Sequence, residues 1–209
     1  MSNDKIKPKR LSNLYIRSQA DNFRGKYLSQ PDTIPVPIED IVEFDLRLEL
    51  IPKAFIKQNI DLDGFLSRDL KTIFIDTELM RERNVNRYRF TLAHEVGHYV
   101  LHSKEIQESE YRTTSEWSKM REEMDEEDLN WFEQQAYEFA GRLLVPRNRL
   151  IEALEDLREK IEKYKTSYPD SNYEIKEAIA RVICGQFQVS PDVMERRIRK
   201  ENVWEELNL

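Results

Sequence analysis

The run His94-Glu95-Val96-Gly97-His98 sets two imidazoles four residues apart, with a carboxylate beside the first. On an α-helix, residues four apart share a face and lie about 6 Å apart along the axis, so two such histidines can grip one zinc ion. The glutamate stands next to that face. It can reach a water held by the metal without being a ligand, and zinc lowers the pKa of such a water from about 15.7 to about 7, where a carboxylate can take its proton. The chemistry this spacing serves is metal-assisted hydrolysis. At this composition the pattern arises by chance about 0.005 times in a chain of this length. All three histidines of the sequence, His94, His98 and His102, fall within it or just after it.

A catalytic zinc needs a third protein ligand and an open fourth position. His102 lies eight residues, or about 12 Å of helix, from His94 and cannot share its ion; it reads as a helix-end residue or a group behind the ligands. The metzincin extension would need glycine at Leu101 and histidine at Lys104. The third ligand is therefore expected from elsewhere, as a carboxylate or another group. Glu133 sits at the edge of an apolar helix face that would pack against the histidine helix, but the pattern alone leaves it open whether it is a ligand or an ordinary surface glutamate. Gly97 and Gly141 offer a close approach between those helices, which would offset the roughly 1 kcal/mol that glycine costs inside a helix.

The elements that must position these groups follow from periodicity. Leu46-Arg47-Leu48-Glu49-Leu50 alternates as a half-buried strand does; Ile60 to Leu66, with its Asp63-Gly64 turn signal, and Thr72 to Ile75 are two further extended runs. They predict a small antiparallel sheet. After a cap at Asn84 or Asn86 the period becomes helical, with Leu92, Val96, Tyr99 and Val100 on one stripe. A second helix is expected over Leu129 to Leu144, with Phe132, Ala136, Phe139 and Leu143 on one face and Pro146 at its end. The steps from Leu150 to Tyr164 read as a single helix, which a loop at Ser167 to Asn172 ends. Ile175 to Ile183 begin another, and Ser190-Pro191 caps a last basic helix holding Arg196, Arg197, Arg199 and Lys200. Before the sheet, Leu11, Leu14, Tyr15 and Ile16 suggest a docking helix.

Composition bounds the rest. A chain of 209 residues with 39% apolar and 35% charged side chains, a tenth of it aromatic, can bury a core. One cysteine, Cys184, excludes an internal disulfide or a cysteine-rich metal site and reads as a buried structural thiol. Five scattered glycines exclude phosphate loops and dinucleotide fingerprints. No apolar run is long enough to span a membrane and no signal-peptide core is visible, so a cytoplasmic protein is expected. The net charge of −7 disfavours non-specific nucleic-acid binding without excluding direct contact by the last helices. The stretch from Glu105 to Asp128 carries a balance of −7 by itself and reads as a solvated excursion, with no evident way to hold a side chain at a metal.

Two runs carry a family likeness. Arg89-Phe90-Thr91-Leu92-Ala93-His94-Glu95-Val96-Gly97-His98, followed by Leu101-His102, resembles the zinc helix of the ImmA/IrrE family of metallopeptidases. Glu133-Gln134-Gln135-Ala136-Tyr137-Glu138-Phe139-Ala140-Gly141-Arg142-Leu143-Leu144-Val145-Pro146 resembles that family's second motif. Weaker support comes from Pro35 to Asp76 and from Gln188-Val189-Ser190-Pro191.

The resemblance implies an α+β fold, a small antiparallel sheet packed on a helical metallopeptidase core followed by C-terminal helices. It implies one Zn2+ held by His94, His98 and Glu133, with Glu95 as general base. Where the family commonly has asparagine this chain has Tyr137, one turn from Glu133, which reads as a helper of Glu133 or of an oxyanion, or as a packed aromatic. Tyr99, Tyr111 and His102 are further candidates for stabilising the transition state. The chain divides into an N-terminal extension (1–30), the metallopeptidase domain (31–165) and a C-terminal helical segment with a helix-turn-helix-like outline (166–209). Family members cleave helix-turn-helix repressors or antitoxins and so relieve repression, and a similar protein substrate is implied here. The alternative reading is a non-catalytic regulatory protein whose metal is structural and which engages a repressor or DNA.

Overall fold

A few short extended runs followed by long amphipathic stripes give a small sheet set against helices. The computed structural model describes residues 7–81, 84–109, 111, 113–169 and 171–209. In chain order come α1 (Asn13–Tyr27), α2 (Ile38–Asp40) running into a π-helical turn (Ile41–Asp45), β1 (Glu49–Lys53), α3 (Ile56–Ile60), β2 (Gly64–Leu66), β3 (Thr72–Asp76) and α4 (Thr77–Arg81). There follow α5 (Val85–Leu101), α6 (Ser103–Glu108), α7 (Thr114–Glu123), α8 (Glu126–Leu144), α9 (Arg147–Glu155), α10 (Arg158–Ser167), α11 (Asn172–Phe187), α12 (Pro191–Lys200) and α13 (Val203–Glu206).

The α+β class holds, but the sheet is mixed where an antiparallel one was expected. Its order is β1-β3-β2, with β1 parallel to β3 and β2 antiparallel to it. The reason lies in the connections: α3 carries the chain away after β1, and only the short turn between β2 and β3 acts as a hairpin. The alternation at Leu46 to Leu50 also overstates β1. Leu46 still closes the π-helical turn onto Ile41, and Arg47 takes a left-handed conformation (φ 55°), so pairing begins at Glu49. Pro52 sits in β1 because that strand is an edge and can spare a donor.

Two helices form the frame of the site. Asn84 caps α5 by accepting from the Arg87 N–H, and Asp125 caps α8 by accepting from Glu127 and Asp128. Phe132, Ala136, Phe139 and Leu143 are all buried along α8, each large apolar side chain contributing about 1.5–3 kcal/mol by leaving water. A Cβ on Gly97 would stand 2.9 Å from the carbonyl oxygen of Ala136, so glycine there is what lets α5 and α8 touch through their backbones. Gly141 makes a different allowance: its missing Cβ leaves room for the side chain of Arg197 from α12, and not for α5.

Around this frame α1 lies on α8 through Ile16, Ala20 and Phe23, while Leu14 and Tyr15, read as docking residues, are exposed. The long stripe after Leu150 is two helices, broken at Asp156 and Leu157. Ser190 caps α12 and Pro191 is its first residue. Cys184 is half-buried on α11 and its thiol points back to the Arg181 carbonyl, so it is less enclosed than the sequence suggests. The acidic stretch is not a solvated excursion: α7 has a capping box at Thr113 and Glu116, and Ile106, Tyr111, Trp117 and Met124 are buried beneath it.

Candidate metal centre

His94 and His98 sit one turn apart on α5, and α8 brings Glu133 opposite them, where one atom from each converges. The His94 and His98 Nε2 atoms are 3.1 Å apart, and Glu133 Oε2 lies 3.1 Å from the first and 3.8 Å from the second. Among the described residues these three form a cluster of potential ligands whose donor atoms all lie within 4.8 Å of one another. Burial opposes charge on His94, but the hydrogen bond and negative charge of Glu133 outweigh it and raise the pKa of the ring. Burial would likewise push the Glu133 carboxyl up, yet the hydrogen bond with His94 and the nearness of both rings hold it well below the usual carboxylate range. A proton shared between facing lone pairs is what a dication replaces. Two imidazole nitrogens and one carboxylate oxygen are, moreover, a known zinc donor set.

Glu95 lies beside the cluster and is only 4% exposed. Burial raises its pKa, opposed by the neighbouring His98 and His94 and, less, by the nearby backbone of Leu66 in β2. The Tyr111 phenol donates to the Leu66 carbonyl at 3.1 Å. A cavity of about 200 Å³ opens onto these groups, walled by Gly64, Phe90, Thr91, Trp117 and Arg121 and rimmed by Lys57, Asp61 and Asp63. A Cβ on Gly64 would meet Phe74 O at 2.7 Å, so only glycine lets β2 pass this close to β3 and α5.

The other sequence candidates fall in three places. His102 stands behind the ligands, its Nδ1 3.0 Å from His98 Nδ1, with burial foremost and then His98 pushing its pKa down to about 3. Tyr137 packs against Phe90 at 4.7 Å, with the Arg196 guanidinium 4.4 Å over its ring, and it is not part of the cavity wall. Tyr99 is half-buried at the edge of the core and is likewise outside that wall.

Two groups escaped the sequence reading. Arg121, from the supposed excursion, places Nη1 2.7 Å from Glu133 Oε1, so that carboxylate turns one oxygen to the histidines and the other to a guanidinium. Nothing in the sequence marks it, because its helix is seated by Trp117 packing on Phe65. Gln135 accepts from or faces His102 at 3.2 Å. A signal existed here: Gln135 is the one polar residue in the stripe Phe132, Gln135, Ala136, Phe139.

The family model of the IrrE N-terminal-like domain, Peptidase_M78, matches residues 45–199, about three quarters of the chain. The chain belongs to the IrrE N-terminal-like domain family. That membership is a metallopeptidase membership, and the matched span runs from the sheet through α5 and α8, so it includes every residue of the cluster. No curated protein and no solved structure gives a match. No helix among the described residues is long and apolar enough to cross a membrane.

Proposed function

We propose that the chain is a zinc-dependent endopeptidase acting in the cytoplasm on a protein substrate, a helix-turn-helix repressor or antitoxin, and so relieving repression. The observation that carries the reading is the convergence of His94 Nε2, His98 Nε2 and Glu133 Oε2 beside a buried Glu95, in a cavity open to one side. In this reading His94, His98 and Glu133 hold Zn2+. When bound, the ion supplies a Lewis acid that acidifies water and polarises the scissile carbonyl.

The chain's own groups do the rest. Glu95 takes the proton of the attacking water on its carboxylate and returns it to the leaving amine nitrogen; its raised pKa brings the carboxylate closer to the range that general acid–base exchange needs. Arg121 holds Glu133 Oε1, which leaves Oε2 for the ion, and its guanidinium lines the cavity where negative charge would develop. Phe90 and Trp117 supply the aromatic part of the wall. The substrate class rests on the family resemblance alone, since nothing in the cavity reads out a sequence.

The test is to incubate the zinc-loaded protein with purified helix-turn-helix repressors encoded beside it and weigh the fragments. Defined internal cuts that vanish in Glu95→Gln, while zinc and fold persist, are the expected result. Tight repressor binding without any cut would favour the non-catalytic alternative.

A further inference from the structure

The third histidine has no place among the proposed ligands, yet it is the most enclosed of the three, at 1% exposure. Its ring lies stacked on Phe132, with centroids 4.5 Å apart, and its two nitrogens each face one polar atom. Nδ1 is 3.0 Å from His98 Nδ1, and Nε2 is 3.2 Å from Gln135 Oε1. Gln135 is itself 2% exposed, and its amide nitrogen donates to the Lys9 carbonyl at 2.8 Å. Lys9 belongs to the segment before α1, which Arg10 ties to α8 through Glu127 at 2.5 Å and by lying 5.3 Å over Trp131.

The direction of every hydrogen bond in this chain follows from its far end. A backbone carbonyl only accepts, so the Gln135 NH2 group must face Lys9 and the Gln135 oxygen must face His102. That oxygen also only accepts, so His102 Nε2 carries hydrogen. The ring is sealed against Phe132 with no carboxylate in contact, a setting for a neutral imidazole with one proton. Its Nδ1 is then a lone pair, and His98 Nδ1 must be the donor. A neutral His98 with hydrogen on Nδ1 has its lone pair on Nε2, the atom that faces His94 Nε2 and Glu133 Oε2.

We propose that the Lys9 carbonyl, Gln135 and His102 form a hydrogen-bond chain that fixes His98 in the tautomer presenting Nε2 to the metal. His102 and Gln135 are thus positioning residues, and the N-terminal segment is wired to the site. The metal half of this inference rests on the function proposed above; the tautomer half does not. Groups behind a ligating histidine hold its ring and tautomer in just this way, and their loss lowers metal affinity about 10- to 100-fold.

With three histidines in the chain, imidazole 15N labelling gives six resonances, all from this site. In the metal-free protein, long-range 1H–15N correlation should find His98 protonated on Nδ1 and His102 on Nε2. Gln135→Met, which keeps volume but offers only a weak thioether acceptor, should mix the His102 tautomers and weaken zinc about 10- to 100-fold in a chelator competition. His98 protonated on Nε2 in the wild-type protein would overturn the proposal, as would a folded Gln135→Met variant with unchanged tautomers and zinc affinity. Correct tautomers in a protein that binds no zinc would support the chain and count against the metal reading instead.

Discussion

The two halves of α8 each carry a buried charged cluster, and the two are built on opposite principles. Toward the C-terminus, Glu138 meets Arg142 at 3.0 Å and Arg197 at 2.7 Å, while Glu201 meets Arg142 at 2.7 Å and also pairs with Arg197. Arg17 and Arg147 approach the same Glu201 at 3.6 Å. The anions are saturated with partners, and α8 is locked to α12. Toward the middle, His94, His98 and Glu133 turn their donor atoms to a single point, and only protons and Arg121 offset the charge there. A cluster that satisfies itself stabilises; one whose two imidazole nitrogens and carboxylate oxygen face one another has the donor set of the proposed zinc site. Both kinds look alike in sequence as runs of Glu, Arg and His.

The contrast can be broken or sharpened by substitution. The largest effect is expected at the ligands: His94→Ala or His98→Ala should abolish zinc retention and cleavage yet leave a cooperatively folded chain, measured by metal analysis beside thermal unfolding. Glu133→Ala should likewise weaken zinc and stop cleavage. Next, Glu201→Ala leaves two buried arginines to share Glu138 alone and should cost about 3–5 kcal/mol in denaturant unfolding, while the fraction that remains folded still binds zinc. If Glu201→Ala lost zinc selectively, or His98→Ala unfolded the chain, the division of labour would fail.

Smaller effects test the frame. Gly97→Ala drives a methyl into the α8 backbone and should cost about 1–3 kcal/mol, with zinc affinity falling in step as α5 and α8 separate. Arg121→Gln removes a half-buried partner of Glu133 and should lower zinc affinity less than tenfold, about 1 kcal/mol by competition titration. Glu105→Ala and Glu108→Ala, outside the cavity wall, should change stability by no more than about 0.5 kcal/mol and leave zinc untouched.

What the sequence made legible is what local geometry decides. The His94 to His98 spacing, the Asn84 and Ser190 caps and the α8 stripe all depend on residues within a few turns of one another. Glu133 was half legible: periodicity put it at the edge of a packed face, and only the family likeness singled it out. Arg121 was not legible, because its reach depends on Trp117 seating α7 against Phe65, a contact between distant segments. The parallel pairing of β1 with β3 failed for the same reason, as did the role of Gly141, whose partner Arg197 comes from 56 residues further on. Charge patterning misled at Glu105 to Asp128, where exposed acids conceal one buried apolar edge.

The bonding at Leu66 has a consequence for how molecules of this protein meet each other. In the β2–β3 ladder, Phe65 pairs its backbone inward with Phe74, so the N–H and C=O of Leu66 point out of the sheet edge. The Tyr111 phenol donates to that C=O, and the Glu95 carboxylate lies near that N–H. An open strand edge is a template on which a second chain can add itself, and here Tyr111 occupies the template at that residue. The Tyr111 phenol therefore stands where a second strand would have to pair. Tyr111→Phe, which frees that carbonyl, should drift toward larger species in light scattering as concentration rises, while the parent is expected to stay monodisperse.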